Sequence, residues 1–417
     1  MNSCIVSHPH AAAVSSATAA AFAAAGRLSL YVTGVCAATG TAKAQAISLV
    51  AKRWPQLANR LVDGVTPQRL KALSSAELTG RLFAWGCRRV PVSSVREQEY
   101  DALFLLHDVA TSLMPWPRHA DSIYAYEDAA QYSFRRAARE GVRCIWDLPT
   151  PHWPSVEGMW REEAARWPGA MGARPRVEPE WKKGRKDAEL ASADVISVAS
   201  GFTLRSLEAA GCRKPVVVTP YGFPIDRFRA KPRQPSGPFT VIAVGAQDLR
   251  KGTPYLLEAW KRAGIAEGRL RLIGPMKLTR AFLGTYAGLF EHVPHVAKSN
   301  LEQEYHAADL LAFPTRGDGF GLVMQEAMCC GTPVLTTPYG GGPECIASGQ
   351  DGWVVPSGAV DELVAVLRSA ARERDRVHRM GLAARRRAEG WTWADAGRAL
   401  ITAIENAGSH RSSGARR

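Results

Sequence analysis

Two carboxylates, Asp318 and Glu326, stand eight positions apart in the run Pro314-Thr315-Arg316-Gly317-Asp318-Gly319-Phe320-Gly321-Leu322-Val323-Met324-Gln325-Glu326-Ala327-Met328. A glycine-rich turn lies between them, and a helical run starts at that turn. Upstream, the apolar stretch 309–313 reads as a buried strand. The order strand, glycine turn, helix start puts ligand-binding groups at the carboxyl end of a parallel strand, where ligands collect. Free backbone N–H groups and the positive end of the helix dipole favour a phosphate there. Eight residues of helix span about 12 Å, so the two carboxylates address separate parts of an extended ligand. A sugar joined to a nucleotide through a diphosphate fits that spacing.

Arg250-Lys251-Gly252 supplies charge of the opposite sign. It follows a strand at 239–244 and the loop 246–249, where a doubly wound domain presents a ligand to its helix N-terminus. Arginine offers a forked set of donors and lysine a compact charge, so the pair can neutralise a diphosphate leaving group. Two cations at a helix N-terminus oppose the helix dipole, which points to a role beyond solvation. Taken singly, Asp318 reads as a turn former in Gly-Asp-Gly and Glu326 as an ordinary helix residue. With Arg250-Lys251 beside them, the joint pattern reads as a site.

The elements that must hold these groups alternate. The second half gives strands at 239–244, 270–273, 292–296, 309–313, 332–337 and 352–356, with helices at 253–263, 301–308, 320–330 and 342–347. The first half gives strands at 3–7, 28–33, 103–107, 121–126, 142–147, 194–199 and 215–219, with helices at 13–25, 128–140, 186–192 and 201–210. This order predicts an α/β chain of two doubly wound, Rossmann-like domains facing each other across a cleft. The first domain spans 1–228, and 229–238 has the composition of a linker. The second domain spans 239–390, a helix at 391–407 follows, and 408–417 forms a disordered tail. Within the first domain, 150–185 is rich in proline and tryptophan and is expected to be irregular in part, as a folded lobe or a lid.

Composition narrows the function classes. The 417 residues are 46% hydrophobic, ample for two cores, and carry a formal charge of +14. Short basic clusters, such as Lys182-Lys183 with Arg185-Lys186 and Arg385-Arg386-Arg387, suit a polyanionic ligand or an anionic membrane surface. No nucleic-acid-binding signature accompanies them, so nucleic acid is not the expected partner. Eight cysteines lie scattered without a C-x-x-C pair, and the histidine pairs His8/His10 and His292/His295 have no carboxylate at ligand spacing. Reduced structural thiols and no metal site are therefore expected. The alanine-rich opening lacks the basic start of a signal peptide, and nothing resembles a membrane span, so a soluble, cytoplasmic protein is expected.

The run 301–356 resembles the nucleotide-sugar-binding half of the GT-B glycosyltransferases, specifically the large retaining family 4. The family pattern is matched by Asp318-Gly319-Phe320-Gly321, Glu326-Ala327-Met328, Cys330-Gly331-Thr332-Pro333-Val334 and Gly341-Gly342-Pro343-Glu344. Arg250 to Trp260 is similar to the family's Lys-Gly helix, and Asp351 to Pro356 to its closing strand. Motif matches span roughly 187–395. In the first domain, Tyr126-Glu127-Asp128, Asp147-Leu148-Pro149, Ser200-Gly201-Phe202-Thr203 and Pro220-Tyr221-Gly222 look like acceptor-domain segments.

The resemblance implies roles. Glu326 binds the ribose hydroxyls of a nucleoside-diphosphate sugar, and Asp318 contacts the sugar or stabilises charge at its reactive end. The backbone N–H groups of Phe320, Gly321 and Leu322, beside Gly319, hold the sugar and diphosphate. Arg250 and Lys251 stabilise the leaving diphosphate, doing electrostatically what a metal does elsewhere, so no cofactor beyond the donor is expected. Loops near Gly274 and Asn300 read the base, and Glu127 is the candidate for positioning a hydroxyl acceptor. That acceptor is expected to be a glycan, lipid-linked or small hydroxyl compound, with peripheral contact at the inner membrane face. Three positions depart from the family: aspartate replaces the usual glutamate at 318, Ala246 stands where many relatives carry arginine, and His10-Ala11-Ala12-Ala13 replaces a glycine loop. The competing class is a catalytically impaired partner subunit that binds nucleotide sugar without turnover.

Overall fold

The computed structural model describes residues 1–51, 60–79, 99–172, 177–229 and 237–412. Apolar runs without polar alternation make strands that can be covered on both faces. In the first half these are β1 (Cys4–Ser7), β2 (Leu28–Thr33), β3 (Ala37–Ala38), β4 (Leu61–Val62), β5 (Leu70–Ala72), β6 (Ser122–Tyr126), β7 (Arg143–Leu148), β8 (Val195–Val198) and β9 (Val216–Val218). The second half adds β10 (Phe239–Val244), β11 (Gly268–Ile273), β12 (Glu291–Val293), β13 (Leu310–Phe313), β14 (Val334–Thr336) and β15 (Gly352–Val354). The first-half helices are α1 (Ala13–Ala24), α2 (Ala42–Ala51), α3 (Glu99–Leu113), α4 (Gln131–Glu140), α5 (Trp153–Arg166), α6 (Glu180–Ser192) and α7 (Gly201–Ala209). Those of the second half are α8 (Thr253–Ala263), α9 (Arg280–Gly284), α10 (Leu301–Ala307), α11 (Leu322–Cys329), α12 (Gly342–Cys345), α13 (Val360–Arg372), α14 (Arg374–Glu389) and α15 (Trp393–Ser412).

Two parallel sheets result, in the orders β5-β2-β1-β6-β7-β8-β9 and β12-β11-β10-β13-β14-β15, with β3 and β4 paired separately. In each large sheet the progress of the chain reverses once, between β1 and β6 and between β10 and β13. A reversal of this kind opens a crevice at the carboxyl ends of the strands. Strand β10 shows how each sheet divides its core. Val241 and Ala243 join the cluster of Leu256, Leu270 and Leu363, while Ile242 and Val244 join that of Leu311, Met324 and Met328 on the other face.

The halves are tied by α15, whose Leu400, Ile401 and Ile404 enter the first-domain core beside Phe22 and Tyr124. The chain crosses back where Phe223 N–H donates to Trp391 O at 2.9 Å and Trp391 Nε1 donates to Pro220 O at 3.2 Å.

Two expectations change, at 103–107 and at the end of the last helix, and two regions gain detail. The apolar run at 103–107 is not a strand but the middle of α3, since Leu103, His107, Asp108 and Thr111 are all buried, a helical spacing that a short apolar run conceals. The segment 150–185 holds α5 and the start of α6, because Trp and Met at helical spacing find an apolar face to cover. The final helix runs on to Ser412, beyond the end expected at 407. The small elements β3, β4, β5 and α2 were not anticipated. Of the linker, 230–236 lies outside the described residues, as does 413–417 of the tail.

Ile404 is fully buried between the end of the chain and the first sheet. Ile404→Ala is expected to cost about 2–5 kcal/mol, read as a shift in the chemical-denaturation midpoint. A loss below about 0.5 kcal/mol would mean that α15 adds little to the first domain.

Candidate active site in the interdomain cleft

The second-sheet reversal brings together the loops after β10 and β13. Gln247 shapes the first of them. Its Nε2 donates to the carbonyls of Ala243, Gly245 and Ile273 at 3.3, 2.9 and 3.2 Å, and its Oε1 accepts from Thr253 Oγ1 at 3.1 Å. Asp248 Oδ1 then accepts the Lys251 N–H at 2.9 Å. Gly252 follows with φ of 72°, and a Cβ there would stand 1.9 Å from Pro314 O, so only glycine lets the two loops touch. Arg250 O accepts from Arg316 N–H at 2.8 Å and from Thr315 Oγ1 at 3.1 Å.

Asp318 sits where these loops meet. Its N–H donates to Tyr339 O at 2.9 Å, and its Oδ1 accepts the Phe320 N–H at 3.2 Å. Its Oδ2 accepts from Lys251 Nζ and lies 3.5 Å from Arg250 Nη1, which also donates to Gly317 O at 3.1 Å. Burial alone would raise the Asp318 pKa, but the charges of Lys251 and Arg250 outweigh it and hold the carboxyl below its ordinary value. The group is therefore ionised.

Gly321 turns the chain into α11, whose first N–H groups have no partner within the helix. One turn later, Glu326 lies on the same face as Leu322. Its Oε2 accepts from Tyr305 Oη at 2.8 Å. Burial pushes the Glu326 pKa up, while Tyr305, Lys298 and Arg227 pull against that rise. Beside this face is a cleft of about 660 Å³ that both domains line, through His10, Ala12, Arg60, Arg227, Lys298 and Leu322. A second concavity of about 700 Å³ is lined by Pro220, Phe223, Glu344, Arg386 and Trp391 among others, and neither hollow has Asp318, Lys251, Arg250 or Glu326 in its lining.

The first domain presses on the same loop. A Cβ on Gly319 would lie 1.7 Å from Pro149 O, and the Gly319 carbonyl accepts from Ser200 Oγ at 2.6 Å and Thr203 Oγ1 at 3.3 Å. Beside this contact, Gly201 N–H donates to Glu344 Oε1 at 2.7 Å.

Of the residues expected from sequence, Asp318, Lys251 and Arg250 come together, with Gly321, Leu322 and Glu326 along the adjoining helix. Phe320 behaves otherwise. Its N–H is taken by Asp318, and its ring is buried 5.1 Å from that of Tyr221. Gly319 faces the first domain. Gly274 packs its backbone on Gly245, and its carbonyl bonds His292 Nε2 at 2.9 Å. Asn300 is exposed at the start of α10, where Ser299 Oγ donates to its Oδ1 at 3.1 Å.

Glu127 is turned inward rather than toward the cleft. It is buried, with Lys186 Nζ at 3.1 Å and Thr150 Oγ1 donating to it at 2.8 Å. Burial raises its pKa against the pull of Lys186. Through Thr150, which adjoins Gly319, it stands one residue away from the Asp318 loop.

Nor are the basic clusters free patches. Lys182, Lys183, Arg185 and Lys186 pair with Asp101, Glu157, Asp128 and Glu178, while Arg385 pairs with Glu389 and Arg387 with Asp351. Among the described residues, no group of three or more His, Cys, Asp or Glu could hold a metal ion, and no helix is long and apolar enough to cross a membrane.

Sequence reasoning missed Gln247, Ser200, Thr203 and Tyr221 as parts that set the site. Ser200 and Tyr221 stood inside quoted motifs, but nothing in those motifs says which loop they touch. A polar residue two positions after a strand-ending glycine, as Gln247 is after Gly245, was the available signal.

Residues 224–387 match the family profile described as "Glycosyl transferases group 1". The D-inositol 3-phosphate glycosyltransferase of Nocardia farcinica is 30% identical over 212 residues, covering 50% of this chain and 46% of the relative. The GDP-mannose-dependent alpha-(1-6)-phosphatidylinositol monomannoside mannosyltransferase of Mycolicibacterium smegmatis is 30% identical over 234 residues, covering 50% of this chain and 61% of the relative. The chain thus spans less than two thirds of the length of these curated relatives. Among solved structures, sucrose-phosphate synthase from Thermosynechococcus elongatus superposes with a TM-score of 0.64 at 16% identity, covering 98% of this chain and 100% of the other. HepE of Anabaena, in complex with UDP, superposes with a TM-score of 0.62 at 14% identity, covering 97% and 100%. The fold is the GT-B architecture of two facing Rossmann-like domains.

The Asp318 environment has a pH signature. A carboxyl held below its ordinary value contributes stability that is present above its unfolded pKa and is lost as pH falls through its lower folded value. Lys251→Met is expected to destabilise the protein by about 1–3 kcal/mol at neutral pH, less than a fully buried pair because both partners keep some exposure. The gap from wild type should narrow below about pH 4 as Asp318 protonates. Urea unfolding across that range checks it, and a gap independent of pH would separate Lys251 from the Asp318 charge.

Proposed function

We propose that this chain, whose residues 224–387 match the profile described as "Glycosyl transferases group 1", transfers a sugar from a nucleoside-diphosphate sugar to a hydroxyl acceptor with retention of anomeric configuration. One observation carries the reading: Arg250 and Lys251 converge on the loop at the N-terminus of α11, with Glu326 one turn further along the helix. The diphosphate takes the place where the first N–H groups of α11 and the two cations meet. It offers them more negative charge than Asp318 alone, so donor binding draws Lys251 away from the carboxylate. Glu326 receives the ribose hydroxyls. Asp318, freed in part, faces the positive charge that grows at the anomeric carbon as the diphosphate leaves. The departing phosphate oxygen takes the acceptor proton, so no protein nucleophile is required. Closure over the cleft aligns the acceptor and excludes water.

The UDP held by HepE supports a nucleotide-sugar donor, and a structure from E. coli bound with UDP-2-fluoro glucose, at a TM-score of 0.59, supports the same choice. Relatives named for inositol phosphate and phosphatidylinositol mannoside acceptors support a polyol or glycolipid acceptor, and with it a place in glycolipid or cell-surface glycan synthesis. The paired state of the basic clusters gives no support to a cationic membrane face built from them.

A thermal-shift screen with UDP, GDP, ADP and their sugars is expected to show stabilisation by one nucleotide family. With that donor, Asp318→Ala and Lys251→Ala should each lower kcat by about 10²-fold or more while the protein stays folded. Affinity without turnover in the wild type would instead favour a binding partner subunit, and no response to any nucleoside diphosphate would sink the reading.

A further inference from the structure

We propose that Glu163 is a positioning residue for Asp318, holding the loop 314–321 from behind through Arg316. The inference rests on the transferase reading above and adds a part that neither the motif pattern nor the relatives assign. By chain order α5 belongs to the first domain, since it follows β7. By packing it belongs to the second. Met159, Trp160 and Ala170 lie within the second-domain core, and Thr279 donates from its N–H to Ala170 O at 2.9 Å and from its Oγ1 to Gly169 O at 2.6 Å. The inserted segment thus reaches across the cleft and grips the domain that carries Asp318.

The grip is directed at the loop itself. Glu163 is 1% exposed, and its Oε1 accepts from Arg316 Nε at 2.5 Å and from Tyr255 Oη at 3.0 Å. Arg316 Nη1 reaches Ser357 Oγ at 2.7 Å, and the guanidinium lies over the rings of Tyr339 and Tyr255 at 5.2 and 5.7 Å. Its backbone N–H donates to Arg250 O. Arg316 therefore anchors the loop two residues before Asp318 through its side chain, and holds the carbonyl next to Lys251 through its backbone. One turn earlier on α5, Met159 lies against Gly317, as does the stem of Arg250.

A buried carboxylate with one idle oxygen is a costly way to achieve mere packing. Among the described residues Glu163 Oε2 has no hydrogen-bond partner, and an apolar pair of similar volume would stabilise the fold at least as well. What the ion pair adds is direction. Arg316 cannot rotate without stranding Glu163, so the Asp318 carboxylate keeps its place when the donor draws Lys251 away.

Glu163→Gln keeps the shape and removes the charge. In the donor-free protein, amide exchange at 315–321 is expected to quicken about tenfold or more, with the rest of the second sheet unchanged. With whichever nucleotide sugar the wild type turns over, kcat should fall about tenfold or more while donor KM stays within about threefold. In an Asp318→Ala background the same substitution should lower kcat no further. A lower melting point with unchanged loop exchange and unchanged kcat would overturn the proposal and leave Glu163 a packing residue. If Glu163→Gln does not fold, the double substitution Glu163→Met with Arg316→Met keeps the packing and is expected to show the same loop release and kcat loss. A wild type without turnover counts against the transferase reading, and the exchange comparison then decides by itself whether Glu163 holds the loop.

Discussion

The pairing of Asp318 with Lys251 is the interaction on which the second domain's ligand face depends. It joins the loop after β10 to the loop after β13 across the only reversal in that sheet. Lys251 alone at a helix start would be repelled by the helix dipole, and Asp318 alone would resist ionisation in a buried turn. Each makes the other tolerable. The glycine at 252 lets the backbones close to contact distance, and Gln247 ties up carbonyls that the end of the sheet would leave bare. The start of α11 thereby lies beside a cationic pair.

Much of this was legible in the chain. Long apolar runs between glycine turns could only be buried parallel strands, and nearly all of them form where the pattern put them. Spacing alone set Glu326 apart from Asp318, although only one helical turn, Leu322 to Glu326, lies between the loop and Glu326, and charge alone placed Arg250-Lys251 opposite. What stayed hidden depended on which surface met which. The run at 103–107 is short and apolar, so strand and helix read alike until Leu103, His107 and Thr111 are seen to share one buried face. Glu127 reads as a strand-end carboxylate aimed at a ligand, yet Lys186, from a helix some sixty residues away, claims it. Phe320 reads as a backbone donor, yet the aspartate two positions before it takes its N–H. The first two are decided by long-range packing that no local pattern contains, and the third by a turn bond that the motif does not announce.

The two domains meet through directed polar contacts and through apolar ones, since Ala199, Tyr221 and Phe223 pack in the second-domain cluster of Phe320 and Met324. Ser200 and Thr203 cap the Gly319 carbonyl, Glu344 caps the start of α7, and the proline- and tryptophan-rich insertion reaches over to the second core. The polar contacts use groups that water can replace when they part. The insertion is different, because its apolar residues are buried in the far domain. It divides the moving parts along a line that the order of the chain does not follow.

The return of α15 into the first sheet bears on how the protein is made. Leu400, Ile401 and Ile404 fill part of a core whose other members, such as Phe22 and Tyr124, leave the ribosome hundreds of residues earlier. The core of the first domain is therefore completed only by residues made after the whole of the second domain, so the flank that α15 covers closes last.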